Sequence, residues 1–419
     1  MQSSSRSIGP DLSQRTLAIV MAGGNGTRLG DLTRRHSKPA LPFAGQFRNI
    51  DFPLSNCINS GIRRIGVATQ YKPHSLIEHV HLGWSFLCPE SGEFIETWPA
   101  QRRSGTGSYA GTADAIYRNL DLIEAHSPDY VLILAGDHVY KMNYRDMLDE
   151  HAASQADVTI GCVEVPLATA SAFGIMQTDP VGWVKRFDEK PARPSPCPAN
   201  PEMALASMGI YVFNREFLAR CLSRDAADPA SRHDFGRDIL PAALGHARVR
   251  AHTFRDPHGG PAYWRDVGTL DSYWRANMEL LGDSPKLDLR DSRWPIRTHQ
   301  IELPAPLLAG PGAAVRSIVS AGCRIAGTVQ NSVLSPACTI GVGALVDSCV
   351  VLPNARIGRD CRIARAIIDG GCNIPDGLRF DGRARFEAEE DSPSAEGVVL
   401  ITASTVERAV ARWAAAKVA

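Results

Sequence analysis

Neither sign of charge prevails in this sequence. Its 45 lysines and arginines balance 45 aspartates and glutamates, and no basic run stands out, which argues against nucleic acid as a main partner. No apolar stretch approaches the about 18–20 residues that span a bilayer. Residues 1–15 are too polar for a secretory leader, so the chain is expected in the cytoplasm with no membrane partner. Ten cysteines lie scattered from Cys57 to Cys372 without one Cys-x-x-Cys pair, so neither a zinc site nor a disulfide framework is indicated. Lysine is scarce, seven of the 45 basic residues, and two of the seven, Lys38 and Lys190, fall in motifs where a compact ammonium is of use. Histidine is absent from residues 313–380.

What is present begins with a loop. Residues 17–22, LAIVMA, suit a strand covered on both faces, and they run into GGNGTRL. Gly23, Gly24 and Gly26 let backbone N–H groups crowd an anion, and Arg28 and Lys38 supply positive charge. The spacing fits neither a Walker loop nor the dinucleotide fingerprint, whose third glycine is Leu29 here.

Further on, strands and helices alternate to about residue 281: a helix near 53–60 stopped by Gly61, a strand at 64–69, a helix at 75–82. That alternation predicts a parallel sheet covered by helices. His74, Glu78, His79 and His81 do not read as a metal set, because a spacing of five turns His74 and His79 off one helix face. A second glycine loop, GTGSYAGTA at 105–113, opens a helix that Thr112 is placed to N-cap, with Ala113, Ile116, Tyr117, Leu120 and Ile123 as its apolar stripe. The strand at 130–135 ends in Gly136 and Asp137, and a carboxylate just past a strand's carboxyl end is placed for chemistry. SAFGIM places Gly174 where a ligand can approach backbone, FDEKP sets Glu189 beside Lys190, and SMGIYVF starts a strand with Ser207. YWRDVGTL puts Asp266 before a helix that Thr269 can cap, with Arg265 and Arg255 as its candidate ion-pair partners.

At 419 residues two domains are expected, and the pattern changes after a proline-rich stretch at 282–312. Apolar residues then recur every six: Val319 and Ile325; Leu334, Ile340, Val346 and Leu352; Ile357 and Ile363; Ile368 and Ile374. A period of six, interrupted by two steps of five, marks a hexapeptide parallel β-helix.

The run AGGNGTRLGDLTRRHSKPALPFAGQFRNIDFPLSNCINSGI resembles the signature of the sugar-phosphate nucleotidylyltransferases, most closely the bacterial glucose-1-phosphate adenylyltransferases. LAGDHVY, the Tyr-x-Gly-Thr-Ala-Asp-Ala run and the three short motifs above match in order and spelling. The resemblance implies a Rossmann-like mixed-sheet domain at 17–281, after a flexible arm at 1–16. A linker at 282–312, a left-handed hexapeptide β-helix at 313–380 and a tail at 381–419 follow. It implies that Gly23, Gly24, Gly26, Thr27, Arg28, Gln70, Gly111 and Thr112 hold ATP, with Arg28 and Lys38 serving catalysis. Tyr109, Gly174, Glu189, Lys190 and Ser207 would hold glucose 1-phosphate, and Asp137 and Asp266 would ligate magnesium. The family assembles as tetramers through the β-helix, so a homotetramer, alone or mixed with a second isoform, is implied.

Rival readings are a transferase for UTP, CTP or dTTP, and a low-activity regulatory subunit, against which the intact Asp137, Lys190 and Asp266 stand. A hexapeptide acyltransferase would want a histidine within the repeat. The family's effector-responsive members carry basic clusters that this chain lacks. The run after the loop is Arg34-Arg35-His36, Pro42 replaces a usual His, Ser108 and Ala110 flank Tyr109, Gly370 replaces an Arg, and Ala403-Ser404-Thr405 lacks the basic start of the tail. Weak or altered response to fructose 1,6-bisphosphate and AMP is therefore expected.

Overall fold

The computed structural model describes residues 11–24, 26–34, 36–100, 108–259, 262–380 and 393–418. Arg35, residues 105–107 of the second glycine loop, residues 1–10 of the expected arm and residues 381–392 of the tail lie outside them. The chain forms two compact units: one of residues up to Gly24, Phe52–Gly136 and Tyr140–Trp264, the other of residues 25–51, 137–139 and 265 onward.

The first unit is built on a nine-stranded mixed sheet. Tyr130–Ala135, Thr16–Ala22, Arg64–Thr69 and Phe94–Pro99 run parallel, in that order. On the other side of Tyr130–Ala135 the long strand Met203–Asn214 runs antiparallel, and Gly174–Thr178 and Val184–Glu189 continue the sheet. Leu17, Ile19, Val131 and Ile133 are wholly buried, as a strand covered on both faces requires. Parallel register aligns the carboxyl ends: Ala22 pairs with Thr69, Met21 with Ala135, and the Gly136 amide donates to the Met21 carbonyl. Residues 11–15, expected within a flexible arm, are held in place: Asp11 pairs with Arg145 at 3.0 Å, and the Thr16 hydroxyl donates to the Leu12 carbonyl.

The expected single helix after the second glycine loop is two, Thr112–Tyr117 and Leu120–His126, broken at Arg118 and Asn119. Asn119 turns its amide onto the Ala115 carbonyl and the Tyr109 hydroxyl, and Tyr117 faces outward instead of joining the apolar stripe.

The second unit contains a three-sided stack of parallel strands, five on each face. Ile340, Ile357 and Ile374 lie over one another on one face, Val346, Ile363 and Phe380 on the second, and Leu334, Val351 and Ile368 on the third. Partners in these three columns are 17 residues apart, so two sides take six residues and the third takes five, whereas the preceding coil repeats at 15, as from Ile325 to Ile340. The steps of five are thus part of each coil, and the third-face core residue is Val351, not Leu352. The stack begins at Leu307–Leu308, earlier than expected, and Val399–Ile401 supplies its last strand, against Ala366–Ile368. The helix Ala403–Val418 packs Val406 on that coil, which places the end of the tail. The stretch expected as a linker buries Leu287, Trp294 and Ile296.

Residues 25–51 group with this unit because their hairpin is fastened there. The Ala44 amide donates to Asn277 Oδ1 at 2.9 Å, and Tyr273 donates its hydroxyl to the Pro42 carbonyl. Gly45, at φ +83°, leaves no room for a Cβ, which would lie 2.5 Å from Ser320 Oγ.

Candidate active site

In the second unit, Lys38 is almost wholly buried, and its ammonium lies 2.5 Å from Asp137 Oδ2 and 2.8 Å from Asp266 Oδ1. Three local features bring these together. Lys38 opens a short 3₁₀ turn, Lys38–Ala40, whose carbonyl at Lys38 accepts the buried Asn49 side-chain amide at 3.0 Å. Asp137 follows the end of Tyr130–Ala135, and His138–Tyr140 pairs with Trp264–Asp266, which sets Asp266 beside Asp137. Thr269 then caps the helix Leu270–Met278 in a capping box with Ser272, fixing where the chain leaves Asp266. Of the two arginines weighed as ion-pair partners for Asp266, Arg265 bonds Glu279 at 2.9 Å, and it is the Lys38 ammonium that lies 2.8 Å from Asp266.

Burial works against ionisation of Asp137, yet the Lys38 and His138 charges outweigh it and hold the carboxyl at about 2. Burial likewise opposes the Lys38 charge, and the two carboxylates overcome it and raise its pKa. Gly268 sits where the groups converge; a Cβ there would lie 2.9 Å from Asp266 Oδ1 and 3.1 Å from both Arg28 Nη2 and Lys38 Nζ. The glycine loop is closed by Thr33, whose hydroxyl bonds the Gly26 and Gly30 carbonyls at 3.1 Å, and Gly26 takes φ +61°. Thr27 and Arg28 open the 3₁₀ turn that follows, with Arg28 exposed.

One donor atom each from Asp137, His138 and Asp266 lies within 4.8 Å of the others, the one such grouping among the described residues. The ammonium between the carboxylates stands in for a cation, and an oxygen-rich donor pair suits a hard divalent metal. The residues therefore fit a divalent ion. His138 and Gly268 were not singled out by sequence; His138 adjoins Asp137, and Gly268 signals only by being a glycine two residues past a candidate ligand.

In the first unit, Gly23, Gln70 and Tyr109 meet at the carboxyl edge of the sheet. The Tyr109 amide donates to Gln70 Oε1 at 3.1 Å, and a Cβ on Gly23 would lie 3.3 Å from Gln70 Cβ, whereas Gly24 has open space. The Tyr109 hydroxyl accepts from Asn119 at 3.2 Å, and the Arg118 guanidinium lies 5.9 Å from its ring centre. Thr112 does not cap its helix. Gly111 stands at the N-cap, and the Thr112 hydroxyl donates instead to Asp234 Oδ2 at 3.0 Å.

Gly174 pairs with Glu189 across two antiparallel strands, and a Cβ on it would fall 2.8 Å from Glu189 Oε2 and 2.5 Å from the Phe187 ring. Glu189 closes its strand, Lys190 turns left-handed at φ +50°, and its ammonium returns to 3.3 Å from Glu189 Oε1. Ser207 is not at a strand start. It lies within Met203–Asn214, at a register shift that gives Gly209 φ +68°. The segment 233–236, which sequence reading passed over, touches both sets, Asp234 at Thr112 and Gly236 at Glu189.

Residues 17–282 match the nucleotidyl transferase family model, and residues 308–401 match that of the GlmU-like C-terminal hexapeptide. A glucose-1-phosphate adenylyltransferase of Hydrogenovibrio crunogenus is 51% identical over 94% of each chain. One of Methylococcus capsulatus is 51% identical over 96% of each. Glucose-1-phosphate adenylyltransferase 2 of Alkalilimnicola ehrlichii is 52% identical over 93% of this chain and 94% of its own. With half its residues shared along nearly the whole length, and a nucleotidyl transferase sheet joined to a hexapeptide β-helix, the chain belongs to the glucose-1-phosphate adenylyltransferase family of nucleotidyltransferases.

Proposed function

We infer that this enzyme joins ATP and α-D-glucose 1-phosphate into ADP-α-D-glucose and diphosphate, the step that activates glucose for glycogen biosynthesis, with Mg2+ as its ion. The observation that carries the reading is the pair Asp137 and Asp266 held about one cation, in a chain half identical to proteins named for this reaction. In the reaction a phosphate oxygen of glucose 1-phosphate bonds to the α-phosphorus of ATP, and the bond from that phosphorus to the departing diphosphate breaks. The attacking oxygen is already anionic, so the chain needs to supply position and positive charge, not a base.

Arg28 and Lys38 neutralise the triphosphate, and Gly23, Gly24, Gly26, Thr27, Gln70, Gly111 and Thr112 receive the nucleotide. Lys190 grips the sugar phosphate, with Tyr109 beside it, while Glu189 and Ser207 bond sugar hydroxyls and Gly174 offers backbone. Asp137 and Asp266 hold the divalent ion, which when bound supplies charge for the α-phosphate and the diphosphate. The transfer is a direct displacement by the sugar phosphate, with no covalent enzyme intermediate.

Free cysteines throughout the chain support a reducing, cytoplasmic setting. The hexapeptide stack supports assembly, which we take to be a homotetramer. Pyrophosphate release with ATP as against UTP, CTP and dTTP tests the reading: clear preference for ATP supports it, and preference for another nucleotide refutes it.

A further inference from the structure

Between the helix Arg215–Ala226 and the π-turn Phe235–Ile239, the chain folds on itself through one carboxylate. Asp225, in the last turn of the helix and nearly buried, accepts the Ser231 hydroxyl at 2.6 Å on one oxygen and meets His233 Nδ1 at 2.8 Å on the other. The Ser231 hydroxyl in turn accepts the His233 amide at 2.9 Å. These three bonds hold His233 at φ +55°, a left-handed conformation that residues other than glycine adopt uncommonly, asparagine, aspartate and histidine more readily than most.

That conformation aims the His233 carbonyl at the start of the helix Thr112–Tyr117, where it accepts the Ala113 amide at 2.7 Å. The fit leaves no room for a side chain at Gly111, whose Cβ would lie 2.2 Å from the His233 oxygen. The next two residues continue the grip. Asp234 Oδ2 accepts the Thr112 hydroxyl at 3.0 Å, and the Phe235 amide donates to the same hydroxyl at 3.0 Å. One residue on, Gly236 packs so closely that a Cβ would lie 2.4 Å from Glu189 Oε2.

We propose that His233, locked by Asp225, is a positioning residue that sets the Gly111–Thr112 corner and the Glu189 carboxylate relative to each other. It touches neither substrate; it acts through the backbone it strains. The role rests on the reading that Gly111 and Thr112 receive ATP and Glu189 the sugar. A clasp that spans both sets governs how well ATP and glucose 1-phosphate are received together, and this differs from a general contribution to stability.

The test compares the intact wild-type enzyme with His233→Ala and His233→Asn, the latter keeping both tolerance of positive φ and an N–H near Nδ1. His233→Ala is expected to raise KM for ATP and for glucose 1-phosphate together by about tenfold, with kcat changed far less, and His233→Asn to recover most of both. Hydrogen exchange at the Ala113 amide should quicken in His233→Ala and return toward wild type in His233→Asn. A fall in melting temperature with both KM values unmoved overturns the proposal, as does equal failure of Ala and Asn. If wild type itself acts on no nucleotide, the functional reading fails separately, and unchanged exchange at Ala113 then overturns the clasp.

Discussion

At the scale of single residues, the site's character is set by one buried ammonium between two carboxylates. Asp137 titrates at about 2, below its ordinary 3.8, so it stabilises the fold above the ordinary value and that contribution is lost as pH falls through about 2. Lys38 is shifted upward, so its contribution is complete below its ordinary value and disappears only as pH rises past the raised one. Between these limits the triad is constant. Replacing Lys38 by Met leaves two facing carboxylates. Breaking a buried pair costs about 3–5 kcal/mol. The lower end applies here, because Asp137 and Asp266 remain 27% and 21% exposed. Calorimetry of Lys38→Met should show a lowered Tm at pH 7.5 whose deficit shrinks toward pH 5, as one carboxylate takes up a proton, and shrinks again with millimolar Mg2+. A deficit indifferent to both would remove the cation site. Asp137 was legible because it follows the carboxyl end of a strand, and Asp266 because it stands before a capped helix, each in a spelled-out motif. Their partner stayed hidden, because Lys38 and Asp266 are 228 residues apart and nothing local to Asp266 prefers Lys38 over the adjacent Arg265.

At the scale of elements, the hexapeptide pattern was legible and its coil was not. A period of six read residue by residue gives Leu352 as a core position, whereas the coil there closes in 17 residues and places Val351 in it. The broken helix after Tyr109 escaped for a different reason. Asn119 satisfies local backbone and side-chain groups better by ending one helix than by continuing it, a competition that an apolar stripe does not record. The first strand of the stack, Leu307–Leu308, has a partner strand on one side only among the described residues, and both leucines are about half exposed. Apolar strand edges of that kind seek another chain. The double substitution Leu307→Asp and Leu308→Asp should lower the mass measured by light scattering relative to the unsubstituted chain while the far-ultraviolet circular dichroism stays the same. An unchanged mass would place the assembly surface elsewhere.

At the scale of the whole molecule, the chain does not divide where its motifs change. Residues 25–51 and 137–139, with most of the candidate catalytic groups, fold with the β-helix unit, while Tyr109, Glu189, Lys190 and Ser207 belong to the other. No local pattern announces that exchange, because it depends on long-range contacts such as Ala44 to Asn277. Regulation is also a property at this scale. With no formal charge at Pro42, Ser108, Gly370 or the Ala403-Ser404-Thr405 helix start, fructose 1,6-bisphosphate and AMP should each change the initial rate of purified protein less than about twofold at millimolar concentration. Strong activation or inhibition by either would contradict that. The adenylyltransferase assignment is tested by pyrophosphate release from purified protein with Mg2+ and glucose 1-phosphate, under equal ATP, UTP, CTP and dTTP, with Asp137→Asn as the reference. Release is expected chiefly with ATP, with a loss of about a thousandfold or more in Asp137→Asn while the fold is kept. Release that ignores the nucleotide, or that survives in Asp137→Asn, would contradict the assignment.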